Sequence, residues 1–276
     1  MPVTQAEKGV RFQALHARPG AFIIPNPWDA GTARLLAGFG FEALTTTSAG
    51  LAFSLGRRDG AVSRDAVLAN AKAIVDATDV PVAADLENGY GHAPEAAAET
   101  IRLAAEVAGL VGGSIEDATG DPQKPIYDFQ HAVERVAAAA EAAHALPFPF
   151  MFVARAENFL HGRLDLDDTI RRLQAFEAAG ADVLYAPGLT TAEQIRTVCA
   201  AVRKPVNVLM GLRGAPFSVS ELAEMGVRRV SVGGALTRIA LTAVVRAATE
   251  MRERGTFHFA DDAISYAEAT RLVTGG

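Results

Sequence analysis

Short apolar runs rich in valine and isoleucine alternate along this chain with longer, alanine-rich stretches whose apolar positions recur at helical spacing. The short runs predict strands over 21–25, 43–47, 82–85, 111–116, 150–155, 182–187, 205–209 and 229–232. The longer ones predict helices within 30–38, 64–77, 94–108, 128–145, 166–179, 191–202, 218–225 and 236–253. Hydroxyl caps followed by early acids, Thr191 with Glu193 and Ser218 with Glu221, open two of these helices, while Gly38, Gly180 and Gly226 stop helices before the next strand. Strictly alternating βα units build a parallel sheet, and eight strands of one direction close most simply into a (β/α)8 TIM barrel, spanning about 20–253. The tail, 254–276, predicts a further helix over 261–272 that packs on the barrel or on another subunit. No linker or low-complexity tract interrupts the pattern, so the expectation is one domain over 1–276.

In such barrels chemistry gathers where strands end and βα loops begin. The third strand delivers Asp85 and Glu87 to its carboxyl end and then turns on Gly89 and Gly91. The fourth ends on Glu116 and the fifth on Arg155. Neighbouring strands thus aim three acids and one cation at a single spot. Acids that share a patch repel unless a metal or an arginine neutralises them, which points to Mg2+, with Mn2+ as a substitute, and to an anionic substrate. Mg2+ keeps several waters, so Asp85 is the expected direct ligand, with Glu87 and Glu116 behind it. The competing reading is an ion-pair network with Arg155 and Arg102 that fixes loops.

The other strand ends carry weaker signals. Arg155 either grips a substrate carboxylate with its planar fork or pairs with Glu157. Thr47, Ser48, Ala49 and Gly50 offer successive backbone amides that form an anion cradle or only a tight turn. Gly233-Gly234 likewise reads as a phosphate seat or a turn, Asp59 as a site acid or a solvated loop acid, and Trp28 as a ligand cover or as packing. The six histidines show no metal-ligand spacing.

Composition narrows the field. A chain of 276 residues that is 50% hydrophobic and 21% charged can bury a large core. A net charge of -6, with only Lys8, Lys72, Lys124 and Lys204 as lysines, leaves no basic run to track nucleic acid. Cys199 stands alone, which fits a reducing, cytoplasmic setting. No apolar run reaches the ~18 residues of a membrane span, so neither an anchor nor a signal peptide is expected. A Schiff-base lysine at a strand end, a nucleophile elbow with a paired histidine, and a dinucleotide-binding glycine fingerprint are all missing.

At these residues the chain resembles the isocitrate lyase and phosphoenolpyruvate mutase superfamily, from Asn26 to about Arg254. Asp85-Leu86-Glu87-Asn88-Gly89-Tyr90-Gly91 is similar to that family's acid-x-acid-x-Gly-Tyr-Gly signature, with Glu87 where aspartate is usual. Glu116-Asp117 matches its fourth strand end, Val153-Ala154-Arg155-Ala156-Glu157 its substrate arginine segment, and Leu55-Gly56-Arg57-Arg58-Asp59 its Leu-Gly-x-x-Asp. The resemblance implies a Mg2+ site, an α-oxo acid or its enolate as ligand, amides near Thr47 and Ser48 for the substrate carboxylate, and a homotetramer or dimer whose last helix is exchanged between neighbours. The loop 118–127 departs from the family: the lyase Lys-Lys-Cys-Gly-His is absent, and Ala118 stands where the phosphonopyruvate branch has lysine. The reading is therefore a Mg2+-dependent lyase that cleaves or forms a C–C bond next to the oxo group of a small acid. Arg155 neutralises the oxygen side, Asp59 orients a metal water, Tyr127 or Lys124 in the lid carries the proton, and Asn207 contacts the distal substrate group. The alternatives are phosphonopyruvate hydrolase or phosphoenolpyruvate mutase chemistry, and an α-oxo acid binding protein with little turnover.

Overall fold

Eight parallel strands run around one axis in the order β1-β8-β7-β6-β5-β4-β3-β2 in the computed structural model, which describes residues 3–211 and 215–274. The strands are β1 (Phe22–Ile24), β2 (Leu44–Thr45), β3 (Val82–Asp85), β4 (Gly112–Glu116), β5 (Met151–Arg155), β6 (Val183–Tyr185), β7 (Val206–Leu209) and β8 (Arg229–Ser231). Helices α2 (Ala30–Gly38), α4 (Arg64–Asp76), α5 (Pro94–Glu106), α6 (Phe129–His144), α7 (Leu166–Ala178), α8 (Ala192–Ala201), α9 (Val219–Glu224) and α10 (Ala235–Arg254) cover the outside. This is the expected (β/α)8 barrel. Its seam between β1 and β2 has no strand ladder. It is closed by the Thr45 amide donating to the Pro25 carbonyl at 3.1 Å and by Asn26, whose Nδ2 donates to the Thr46 carbonyl while its Oδ1 accepts from Val232 and Gly233.

Besides the tail, two helices among the described residues lie outside the βα alternation. The first, α1 (Gln5–Ala17), begins at a Thr4–Glu7 capping box and presses Phe12, Leu15 and His16 into the amino-terminal end of the barrel. Gly112 makes room for it: a Cβ there would sit 2.7 Å from Phe12 Cε1 and 2.9 Å from the Met151 carbonyl oxygen. The second, α3 (Ser48–Ser54), follows β2 and is capped by the Thr47 hydroxyl. The expected tail helix forms later than its sequence suggests, as a 3-10 turn over His258–Asp262 and then α11 (Tyr266–Thr274), which packs against α2; 275–276 lie outside the described residues. No helix among the described residues is long and apolar enough to cross a membrane.

Register sets up the chemistry. Cα pairing runs Glu116↔Arg155, Arg155↔Tyr185, Tyr185↔Asn207, Asn207↔Arg229 and Arg229↔Phe22, so one row crosses six strands, β4 to β8 and then β1. Because barrel strands tilt, such a row spirals down from the mouth, where Glu116 ends its strand, to the floor, where Phe22 begins its own.

Candidate active site

Alternation along β3 decides which way its acids point. Leu86 turns outward and is fully buried under the helices, so Asp85 and Glu87 on either side of it face the cavity. Glu87 does so from a left-handed backbone, φ 48°, and Tyr90 follows at φ 59°. Such conformations cost a residue with a Cβ of order 1–3 kcal/mol, and they persist only where the surroundings impose them. Here the imposing group is Arg135 on α6, only 1% exposed, whose guanidinium donates to the carbonyls of Asn88, Gly91, His92 and Ala93 and fixes the turn. Nothing in the sequence had singled it out.

Arg155 stands at the centre of the mouth. Its Nη1 lies 2.9 Å from Asp85, its Nη2 3.1 Å from Glu116 and its Nε 2.9 Å from Glu157. Burial works against that charge, but the three carboxylates outweigh it and hold the guanidinium firmly protonated. Asp85 also accepts from the Ser48 hydroxyl at 2.8 Å, and its own amide donates to the Thr46 hydroxyl. The expected partners of Arg155 were a substrate anion or Glu157; the structure gives it Glu157 together with two of the proposed metal acids. Asp117 stays out of this cluster. Nearly buried, it accepts from the Glu157 amide and from Arg172 on α7, binding the bases of two βα loops together.

A cavity of about 1030 Å³ opens above this cluster, lined by Thr47, Ser48, Ala49, Asp59, Asp85, Glu87, Glu116, Arg155 and Asn207 among the expected residues. Three expected residues stand outside its lining. Lys124 turns to solvent and pairs with Asp128 at 2.7 Å. Trp28 packs its methylene against Gly50, where an added Cβ would come within 3.0 Å of the Trp28 Cβ. Tyr127 sits behind His92, its hydroxyl 2.8 Å from Nδ1, with Arg135 over its ring; His92 itself lines the cavity. The amide cradle is partly spoken for, since Gly50 N–H donates to Thr47 and Ser48 N–H points at Asp85, 3.5 Å away. The Gly233 amide is likewise taken, by Asn26.

The three proposed ligands share the cavity without forming a closed shell. Among the described residues no three acidic, histidine or cysteine side chains are drawn together tightly enough to hold a metal as they stand, and the Arg155 guanidinium bridges Asp85 and Glu116. The donor set nonetheless fits a hard divalent cation. Asp59, Asp85, Glu87 and Glu116 are all oxygen donors facing one cavity, and the guanidinium that touches Asp85 and Glu116 is already shared with Glu157. Crowding and burial show in the acids themselves. Burial, then Asp85 and Asp59, pushes the Glu87 carboxyl up to about 7; burial and Asp85 raise Asp59, and burial raises Glu116 well above the usual range.

Sequence reasoning missed Tyr185, Ser231, His161 and, deepest, Arg229, all of which line the cavity. Inward alternation along 229–233 was the available signal, but two adjacent arginines, Arg228 and Arg229, concealed which one faced in.

Comparison with known proteins agrees with this geometry. The family model for phosphoenolpyruvate phosphomutase matches residues 12–252. A crystal structure from Burkholderia cenocepacia J2315, described in terms no finer than lyase/mutase, is 63% identical, superposes with a TM-score of 0.94, and covers 97% of this chain and 95% of that one. The 2-methylisocitrate lyase of Shewanella oneidensis is 31% identical over 232 residues, 80% of this chain and 77% of the relative. The oxaloacetate decarboxylase of Bradyrhizobium sp. strain BTAi1 is 30% identical over 212 residues, 74% and 70% of the two chains. With matches that span nearly the whole barrel and the acid-bearing strand ends alike, the chain belongs to the isocitrate lyase and phosphoenolpyruvate mutase superfamily.

Proposed function

We propose that this protein is a Mg2+-dependent lyase that cleaves the C–C bond next to the oxo group of a small 2-oxo or related hydroxy acid, through an enolate. The observation that carries the reading is the one guanidinium shared by acids from three strand ends, Asp85, Glu116 and Glu157, at the base of a polar cavity. The C–C bond chemistry named for the methylisocitrate lyase and oxaloacetate decarboxylase relatives supports it. Asp85, with Glu87 and Glu116 behind it, would hold the metal. Mg2+ bound there supplies Lewis acidity that stabilises negative charge growing on the substrate's oxo oxygen. Arg155 faces the same oxygen and adds a fixed positive charge. Ser48, already bonded to Asp85, orients both the acid and the start of α3, and Asp59 orients a water. Of the two proton carriers expected from sequence, Tyr127 stays connected to the cavity through His92, whereas Lys124 turns away. We also propose a homodimer or homotetramer, since α10 exposes Ile239, Val244 and Val245, each more than 60% accessible.

The test is turnover of a panel of 2-oxo and 2-hydroxy di- and tricarboxylates with Mg2+, then with EDTA. Cleavage that EDTA abolishes and Mg2+ restores supports the reading, as does a loss of at least ~10²-fold in kcat for Asp85→Asn, the scale expected when transition-state charge loses its stabiliser. Full activity in chelator overturns the metal assignment. Phosphate release from phosphonopyruvate would move the chemistry to phosphorus, and tight oxalate binding without turnover would make this a binding protein.

A further inference from the structure

Arg229 opens β8 with its guanidinium turned into the barrel, 5.9 Å above the Phe12 ring, and it is only 4% exposed. Among the described residues its enclosed Nε and Nη1 find no acceptor, and Asn207 Oδ1 beside it in register is likewise unpartnered. Burial brings the guanidinium down to about 10, which leaves it charged at neutral pH. A buried cation without a counter-ion costs several kcal/mol, so a fold that keeps one invites an anion. The cavity that opens at Asp85 reaches down to this side chain, through Tyr185, Asn207 and Ser231.

Register gives the depth. Arg155 and Arg229 lie in one row, three strands apart. With strands ~4.8 Å apart and tilted by ~36°, the row descends ~3 Å per strand, which puts Arg229 roughly 8 Å below Arg155. Depth is only one component of the gap, because the two side chains also face each other across the barrel from strands three apart; a diacid of about four or five carbons, rather than a shorter acid, is the guest that bridges it with hydrogen bonds of about 2.8 Å at each end. We propose that Arg229, assisted by Asn207, forms an anion subsite on the cavity floor that takes the far carboxylate of a dicarboxylic 2-oxo acid whose oxo-acid end lies at Asp85 and Arg155. The diacid assignment rests on the oxo-acid reading of the mouth; the anion site itself does not. Asn207 now bonds Ser231 through Nδ2 at 3.0 Å. Since a serine hydroxyl serves either amide atom, the amide can turn over and present Nδ2 to the anion beside Arg229. The competing partner is a water shared with His16, whose buried Nε2 also lacks a partner and whose imidazole lies close enough to feel the charge of Arg229. A water supplies no countercharge.

Calorimetric titration of the Mg2+-loaded full chain with pyruvate, 2-oxoglutarate and oxalate tests the assignment. The expected result is at least tenfold tighter binding of 2-oxoglutarate than of pyruvate. In Arg229→Met that gap closes to within twofold while oxalate, which is too short to reach the floor, changes by less than twofold. A gap that survives in Arg229→Met, or none in the wild type, overturns the diacid assignment. Should Arg229→Met fail to melt cooperatively, Arg229→Lys is read instead: it keeps the charge but loses the planar fork, and most of the gap is expected to vanish with it. If the wild type binds none of the three acids, the reading of the mouth has failed, and the floor is tested alone by soaking crystals in bromide. An anomalous peak on Nε and Nη1 of Arg229 supports the subsite; a water bridging Arg229 to His16 Nε2 in its place overturns it.

Discussion

Arg155→Met removes the guanidinium while keeping much of the stem that fills the same space. Three carboxylates then lose contacts of 2.9, 3.1 and 2.9 Å at a side chain only 11% exposed. Deleting one partner of a buried ion pair costs about 3–5 kcal/mol, because the remaining charge stays out of water. For a chain of this size that is a fall in Tm of roughly 6–20 °C, at about 2–4 °C per kcal/mol. The loss must depend on pH. Without Arg155 the carboxyls of Glu116 and Glu157, already raised by burial, rise further, so the folded state holds protons that the unfolded state has released. Stability of the variant therefore falls as pH rises above the unfolded carboxylate range, and its deficit against wild type narrows on acidification from pH 8 to 6. Mg2+ should recover more stability in the variant than in the wild type, since the site gains a full negative charge and ligand stabilisation grows with affinity. Differential scanning calorimetry at both pH values, with and without millimolar Mg2+, reads all three effects. A variant that melts within about 2 °C of wild type at pH 8 without metal would refute the reasoning, because these contacts would then be worth no more than exposed ion pairs.

His16 gives a second pH signature: burial, then the charge of Arg229, lowers it to about 3 against 6.5 in the unfolded chain. The unfolded state thus binds the extra proton, so stability is fully present above pH 6.5 and declines below it, by about 2 kcal/mol at pH 5; His16→Gln should flatten that limb in urea titrations. Gly112→Ala should cost about 1–3 kcal/mol by overpacking against Phe12 and the Met151 carbonyl, with chemical denaturation as the measure. Light scattering on the purified protein should report a mass at least twice 28.9 kDa, and Ile239→Asp with Val244→Asp should reduce it.

Much of the barrel was legible because its period changes cleanly: 82–85 and 30–38 match the observed β3 and α2, and the other barrel strands are trimmed at their ends. Strand ends are where side chains rather than ladders satisfy the backbone, as at Asn26, and period alone does not report that. The helix α1 escaped notice because its polar, mixed-charge surface hides an inward stripe of Phe12, Leu15 and His16; the Thr4–Glu7 box was the clue. Asp85, Glu87, Glu116 and Arg155 converge as strand-end logic expects, yet that logic did not show that Arg155 would bond two of the acids itself. Lys124 and Tyr127 were placed at the site by chemistry alone, and loop geometry sent one to solvent and the other behind His92.

The wedge of Phe12 and His16 beneath the strands makes the difference between a cup and a pipe. Stripped of that stopper, the inner wall would be wetted from below, and Arg229 would meet bulk water. A ligand could then exchange with solvent at both ends, and the low-dielectric basin that makes a lone guanidinium attractive would be gone. A segment that touches none of the mouth's chemistry thereby sets how strongly the interior can grip a charged guest.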